Sequence, residues 1–172
     1  MSCRFGDLWQ AGFFVEKTRE KSYDKPMIFK AKSPKETQKI AADLARKVVK
    51  LKPQKHACVF ALEGELGAGK TTFIQGFAKA LKIKRRITSP TFVLIKNYSL
   101  HTTHYKLLFH IDAFRLKDWR DLASLGIKDI FAGPENIVLI EWAERIRPIL
   151  PEKHIKIHID HLNQTTRQIS IT

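Results

Sequence analysis

The sequence predicts an α/β domain built on a mixed sheet, and three observations carry that expectation. Residues 57–62 (ACVFAL) form a short, unbroken apolar run that enters a glycine-rich turn and then a helix, the pattern of a strand covered on both faces. Residues 137–140 (IVLI) are a second run of the same kind. Residues 91–98 and 105–111 are strand-like and joined by a short polar loop, 99–104, which predicts an antiparallel hairpin in the same sheet.

Taken in order, residues 1–26 mix five basic and four acidic residues with Trp9, Phe13 and Phe14 and follow no helical or strand period, so they form an extension to the domain of residues 27–172. Residues 27–32 are strand-like. Either the extension packs as an appendage or translation starts at Met27. Ser33-Pro34-Lys35-Glu36 has the form of a capping box with proline at the first helical position, and Ile40, Leu44, Val48 and Leu51 recur at helical spacing, which predicts a helix over 34–51. Its other faces carry Lys35, Lys39, Arg46, Lys47 and Lys50, a solvated surface first and a partner surface second. Phe73, Phe77 and Leu81 mark a helix after Lys70. Residues 118–125 read as a short helix capped by Asp118 and closed by Gly126. Ile155, Ile157 and Ile159 alternate with polar residues, as do Ile169 and Ile171, giving a terminal hairpin around Asn163-Gln164.

Composition narrows the functional classes. With 172 residues, 44% apolar and 28% charged, the chain holds one domain with a core of its own. Thirty-one Lys and Arg against seventeen Asp and Glu leave +14, which attracts nucleotides, nucleic acid or an acidic partner without choosing among them. Cys3 and Cys58 form no CxxC pair, so a disulfide framework or cysteine zinc site is excluded and a reducing cytoplasm fits. No apolar run approaches the roughly 18 residues of a membrane helix, and residues 8–15 (LWQAGFFV), broken by Gln10, make a poor signal peptide.

Residues 64–71 (GELGAGKT) match G-x-x-x-x-G-K-[ST] in full, between a buried strand and a helix. Glycines let the chain fold into a nest of inward-pointing N–H groups that grips phosphate, and the start of the helix adds to the attraction. Lys70 is placed to reach the β and γ phosphates and Thr71 to give its hydroxyl to Mg²⁺. Two later acids are candidates for metal and water. Glu141 follows the run 137–140 and emerges at a sheet edge, where ligands of open α/β sheets collect; the competing reading is an exposed carboxylate capping the next turn. His110 and Asp112 project to one side of a strand, with Arg115 three residues on; the competing reading is a structural His-Asp hydrogen bond. Ser89-Pro90-Thr91 by itself is a proline-fixed turn after the basic run 82–86 (KIKRR). His154, His158 and His161 do not share strand parity, so a three-histidine metal site there would need a bend.

Together, residues 64–71, Ser89-Pro90-Thr91-Phe92, His110-Ile-Asp112-Ala-Phe-Arg115 and Glu141-Trp142-Ala143-Glu144, in this order, resemble the TsaE (YjeE) family from about Met27 onward. The resemblance implies a P-loop NTPase three-layer α/β/α sandwich with a mixed, partly antiparallel sheet. It implies a bacterial, cytoplasmic, Mg²⁺-dependent ATPase needed for threonylcarbamoylation of the adenosine beside the anticodon of tRNA. Such proteins work with TsaD and TsaB, with tRNA reached through that complex, and drive its turnover without catalysing the carbamoyl transfer. Carried over by position, Lys70, Asp112 and Glu141 are catalytic, and Thr71, Glu141 and Asp112 form the metal set, with the main ligand among the two acids left open. Glu65, Leu66, Gly67, Ala68, Gly69, Lys70, Thr71 and Thr72 hold ATP, Thr37 lies near the base, and Trp142 and Glu144 sit beside the nucleotide or a partner. Phe114 stands where the family commonly has tyrosine, and the 26-residue extension has no counterpart in short members. Two other classes compete: a small-molecule or nucleoside kinase, for which residues 99–135 are short of a lid and an acceptor pocket, and a non-catalytic RNA-binding protein using the basic surface.

Overall fold

The computed structural model describes residues 26–172, so all of the extension but Pro26 lies outside the described residues. Its strands are β1 (Met27–Ala31), β2 (Cys58–Glu63), β3 (Ile95–Ser99), β4 (Leu107–Asp112), β5 (Asn136–Glu141), β6 (Ile155–His161) and β7 (Arg167–Ile171). They form a single sheet in the order β1-β7-β6-β2-β5-β4-β3. β2 runs parallel to both neighbours, β5 and β6, and β4 runs parallel to β5. The pairs β3–β4, β6–β7 and β1–β7 are antiparallel, so the sheet is mixed, as expected. The helices are α1 (Pro34–Val48), α2 (Lys70–Ala80), α3 (Trp119–Ala123) and α4 (Ile127–Ala132), with a 3₁₀ segment at Ala143–Ile149.

The period of two along β2 sorts the core. Cys58, Phe60 and Leu62 pack with Leu44, Val48, Phe73 and Phe77 of α1 and α2. Val59 and Ala61 pack with Leu122, Ile127, Phe131 and Ile146 on the opposite face. Helices therefore cover the sheet on both sides, which is why β2 and β5 read as continuous apolar runs. Gly76 sets the approach of α1 to α2: a Cβ there would lie 2.4 Å from both Cα and the carbonyl oxygen of Gln38.

Local chemistry explains where elements begin and end. Ser33 caps α1 by accepting from the Glu36 N–H at 3.3 Å, and Glu36 reaches back to the Lys32 N–H at 2.7 Å. The helix stops at Val48, three residues before the predicted end, and closes in a tighter turn in which the N–H groups of Lys50 and Leu51 donate to the Lys47 and Val48 carbonyls at 3.1 and 3.0 Å. The first strand of the hairpin starts at Ile95 and not at residue 91. Residues 91–94 instead turn, with the N–H groups of Val93 and Leu94 both donating to the Pro90 carbonyl at 2.8 and 2.7 Å. Asp118 caps α3 by accepting from the Arg120 N–H at 2.9 Å. The left-handed Gly126 (φ 75°) then redirects the chain into α4, a helix the sequence reading did not anticipate. In the terminal hairpin Asn163 Oδ1 accepts from the N–H groups of Thr165 and Thr166 at 3.0 and 2.8 Å, a side-chain turn of the kind asparagine favours. Among the described residues no helix is long and apolar enough to cross a membrane.

Candidate active site

The parallel strands deliver acids to one edge of the sheet: β2 ends at Glu63, β4 at Asp112 and β5 at Glu141. After Glu63 the chain turns at Gly64, with φ 134°, and an added Cβ would lie 2.3 Å from the Ile159 carbonyl oxygen; only glycine fits that approach. Gly67 and Gly69 are also left-handed, at φ 77° and 107°. Gly69 caps α2 without a side-chain hydrogen bond, so the first N–H groups of the helix stay available to an anion.

Lys70 opens α2 and is only 4% exposed. Its Nζ donates to the Gly64 carbonyl at 2.6 Å and the Glu65 carbonyl at 2.9 Å, and lies 3.7 Å from the centre of the Trp142 ring. Burial holds the amine below the ordinary lysine pKa, while Glu141, Glu144 and Asp112 pull it the other way. Trp142 reaches this position from a left-handed backbone (φ 60°), and its ring stands 5.0 Å from that of Phe114, which packs there without the hydroxyl of a tyrosine.

The next residue, Thr71, joins the loop to the sheet. Its hydroxyl lies 2.9 and 2.8 Å from the two oxygens of Glu141 and donates to that carboxylate. Glu141 is 3% exposed, so it is not the exposed cap that the competing reading described. His110, fully buried, presents Nε2 2.8 Å from Glu141 Oε1. Its partner is thus Glu141 and not Asp112, and its Nδ1 has no hydrogen-bond partner among the described residues.

Asp112 is held by different donors. Oδ2 accepts from the hydroxyls of Ser89 and of Thr91, the latter at 2.6 Å, and Oδ1 accepts from the Phe114 N–H at 2.9 Å. Ser89 and Thr91 are the residues that sequence reasoning left as a plain turn. Their spacing across a proline gave no sign that both hydroxyls would meet one carboxylate, more than twenty residues on.

A cleft of about 440 Å³ lies over these groups. Of the residues singled out from sequence, Leu66, Gly67, Gly69, Lys70, Thr71, Thr72, Asp112, Arg115, Glu141 and Trp142 line it, together with Ser89, Thr91, Phe92 and Phe114. Ala68 is fully buried behind the loop, and Glu65 contributes its carbonyl to Lys70. Thr37 is buried in α1 and does not line the cleft. Glu144 is also outside the lining, yet it acts on Lys70 and buries an Oε2 with no hydrogen-bond partner among the described residues. Arg115 lies over the exposed Phe92 ring at 4.2 Å. The histidines scatter: His154 meets the Pro151 carbonyl, His158 meets Asp160 and His161 faces the Leu66 carbonyl.

Thr71 and Glu141 offer adjacent hard oxygen donors, the kind Mg²⁺ takes. Among the described residues no three His, Cys, Asp or Glu side chains are grouped to hold an ion by themselves.

The model of the family described as "Threonylcarbamoyl adenosine biosynthesis protein TsaE" matches residues 31–169. A Bacillus subtilis protein named tRNA threonylcarbamoyladenosine biosynthesis protein TsaE is 36% identical over 148 residues, covering 86% of each chain. A Nostoc protein of the same name is 41% identical over 117 residues, covering 66% of this chain and 69% of the relative. The crystal structure of Bacillus subtilis YdiB superposes with a TM-score of 0.67 at 33% identity, covering 86% of this chain and 84% of that one. With the loop, the two strand-end acids and their hydroxyl partners in one cleft, and with matches across nearly the whole described domain, the chain belongs to the TsaE family.

Proposed function

We propose that the chain is a Mg²⁺-dependent ATPase subunit required for threonylcarbamoylation of the adenosine beside the anticodon of tRNA. It acts on a complex of TsaD and TsaB homologues from a P-loop three-layer α/β/α sandwich. The reading is supported by relatives named for tRNA threonylcarbamoyladenosine biosynthesis, and the observation that carries the chemistry is the Thr71–Glu141 contact at the foot of the glycine loop. A hydroxyl and a carboxylate brought together from residues seventy apart, beside a buried lysine, are the parts a triphosphate and its metal require.

Each residue then has a task. The N–H groups of residues 67–72 bind phosphate oxygens. Lys70 exchanges its two loop carbonyls for phosphate. Thr71 and Glu141 hold Mg²⁺, which when bound offsets phosphate charge. Asp112, fixed in orientation by three donors, accepts a proton from the attacking water. Trp142 keeps solvent from one side of the Lys70 amine.

The test is ATP binding and phosphate release by the full chain with Mg²⁺, alone and with TsaD and TsaB homologues. Lys70→Ala is expected to weaken ATP binding about a hundredfold, roughly 2.7 kcal/mol, and ATP is expected to change how much TsaD and TsaB are retained in a pull-down. Equal ATP affinity for wild type and Lys70→Ala would show the reading to be wrong.

A further inference from the structure

From residue 66 to residue 111 the chain carries eight lysines and arginines and no aspartate or glutamate. Five of those cations, Lys82, Lys84, Arg85, Arg86 and Lys96, line two clefts of about 280 and 420 Å³ that adjoin through Arg85, Asn97 and Tyr98. The clefts run beside β3, one of the two edge strands of the sheet. Lys82, Lys84, Arg85 and Arg86 are exposed, as are Asn97, Ser99 and His101 between and beyond them.

Four cations elsewhere in the domain meet carboxylates. Arg46 pairs with Asp43, Arg120 with Asp118, and Lys156 and Arg147 with Glu63. Among the described residues none of the five at the β3 edge has a carboxylate within ion-pair distance, and Lys96 Nζ is held by the Thr88 hydroxyl at 3.1 Å. Gathering unneutralised cations at one edge costs repulsion, which a polyanion relieves.

We propose that this edge is a binding surface for the sugar-phosphate backbone of folded RNA. An acidic protein face fits less well, because protein interfaces close over an apolar centre and are poor in lysine. Here the apolar side chains between the cations turn to the core, Tyr98 buried and Ile83 partly buried against it, and the other lining groups are hydroxyl, amide and imidazole. Polar, strongly positive surfaces of that kind suit phosphates and 2′-hydroxyls. The inference stands without the ATPase reading. RNA seated here lies beside residues 88–91, the turn whose hydroxyls hold Asp112.

The test is binding of an unmodified tRNA transcript to the full chain across a salt series. Five cations at roughly 0.7 to 0.9 each predict a slope of log K against log salt of about −4. The exposed triple variant Lys84→Ala/Arg85→Ala/Arg86→Ala is expected to make the slope shallower by about 2 to 3 and to weaken binding at least tenfold at fixed salt, with ATP affinity and the urea midpoint unchanged. Should that variant not unfold cooperatively, Arg85→Gln alone, expected to weaken binding about threefold, carries the test. The variant Lys35→Ala/Lys39→Ala/Lys50→Ala, on α1 and the turn after it, removes the same charge elsewhere and is expected to cost less than threefold. The proposal is overturned if the β3-edge variant binds RNA like wild type, if the two triple variants lose equally, or if polyglutamate displaces the transcript at equal charge concentration. Lys70→Ala is expected to keep its RNA affinity, so failure here and failure of the ATPase reading are separate results.

Discussion

Replacing Thr71 by valine isolates the contact on which the site depends. Valine keeps the branched shape and nearly the same helix propensity, so the change at this position is the loss of one hydroxyl. That hydroxyl donates to a carboxylate that is 3% exposed, at 2.8 Å, and a hydrogen bond to a buried charge contributes about 1.5–3 kcal/mol. Glu141 keeps the His110 ring at 2.8 Å, which places the expected loss near the middle, about 2 kcal/mol. For a domain of this size that is a fall in Tm of roughly 4–8 °C. In a Glu141→Gln background the same change removes only a neutral bond and is expected to cost about 1 kcal/mol or less, leaving a coupling of about 1 kcal/mol in the double-mutant cycle. Urea unfolding of the nucleotide-free full chain, with the slope m checked for constancy, measures all four corners. A cost below about 0.5 kcal/mol in both backgrounds would refute the reasoning, because a hydroxyl seated on a buried carboxylate cannot be that cheap to remove.

Three other outcomes are expected. Gly76→Ala tests the α1–α2 crossing: helix propensity alone favours alanine by up to about 1 kcal/mol, but a Cβ 2.4 Å from Gln38 backbone atoms predicts a net loss of about 1–3 kcal/mol in urea unfolding, and a gain would rule out so close an approach. Asp112→Asn leaves the three donors from Ser89, Thr91 and Phe114 without a charged acceptor; phosphate release at saturating ATP is expected to fall about a hundredfold with ATP affinity nearly kept, and amides 92–94 to exchange faster. Lys70 gives a pH signature. Its folded pKa lies below the ordinary lysine value, so near that value the unfolded chain binds more protons, and stability gains a positive slope between the folded pKa and about 10.4. The slope from denaturant titrations between pH 8 and 10.4 is expected to be more positive for wild type than for Lys70→Met, and equal slopes would show that the amine is not desolvated.

What the sequence made legible was contiguous or periodic. The glycine loop is eight adjacent residues whose geometry follows from their identity, and the buried runs before it and before Glu141 announced strands ending in acids. What stayed hidden depends on register between distant segments. Parity along β4 puts His110 and Asp112 on one side, but β4 lies against β5 with Asp112 opposite Glu141, and across that pair His110 finds Glu141. Nothing in Ser89-Pro90-Thr91 reveals that its hydroxyls meet Asp112, and the same contact turns residues 91–94 away from the strand that their apolar character suggests. α4 and the 3₁₀ segment were missed because elements of six and seven residues contribute only two buried apolar side chains each, too few to establish a period.

The three strand-end acids differ in what neutralises them, and that difference separates structure from function. Glu63 meets Lys156 at 2.6 Å and Arg147 at 3.7 Å, full positive charges that cancel its own, and it does not line the cleft. Glu141 and Asp112 receive hydroxyls, an amide and an imidazole, which orient a carboxylate. Lys70 is the buried cation of the cleft, which Arg115 lines from an exposed position, and it answers to Glu141, Glu144 and Asp112 together. Buried negative charge in excess of its counter-charge costs several kcal/mol unless a cation joins it. On the proposed reading a triphosphate entering the same cleft would worsen that imbalance, so ATP and a divalent ion would have reason to arrive together, and the surplus at Glu141 and Asp112 would fit this edge of the sheet for reaction where Glu63 makes a brace.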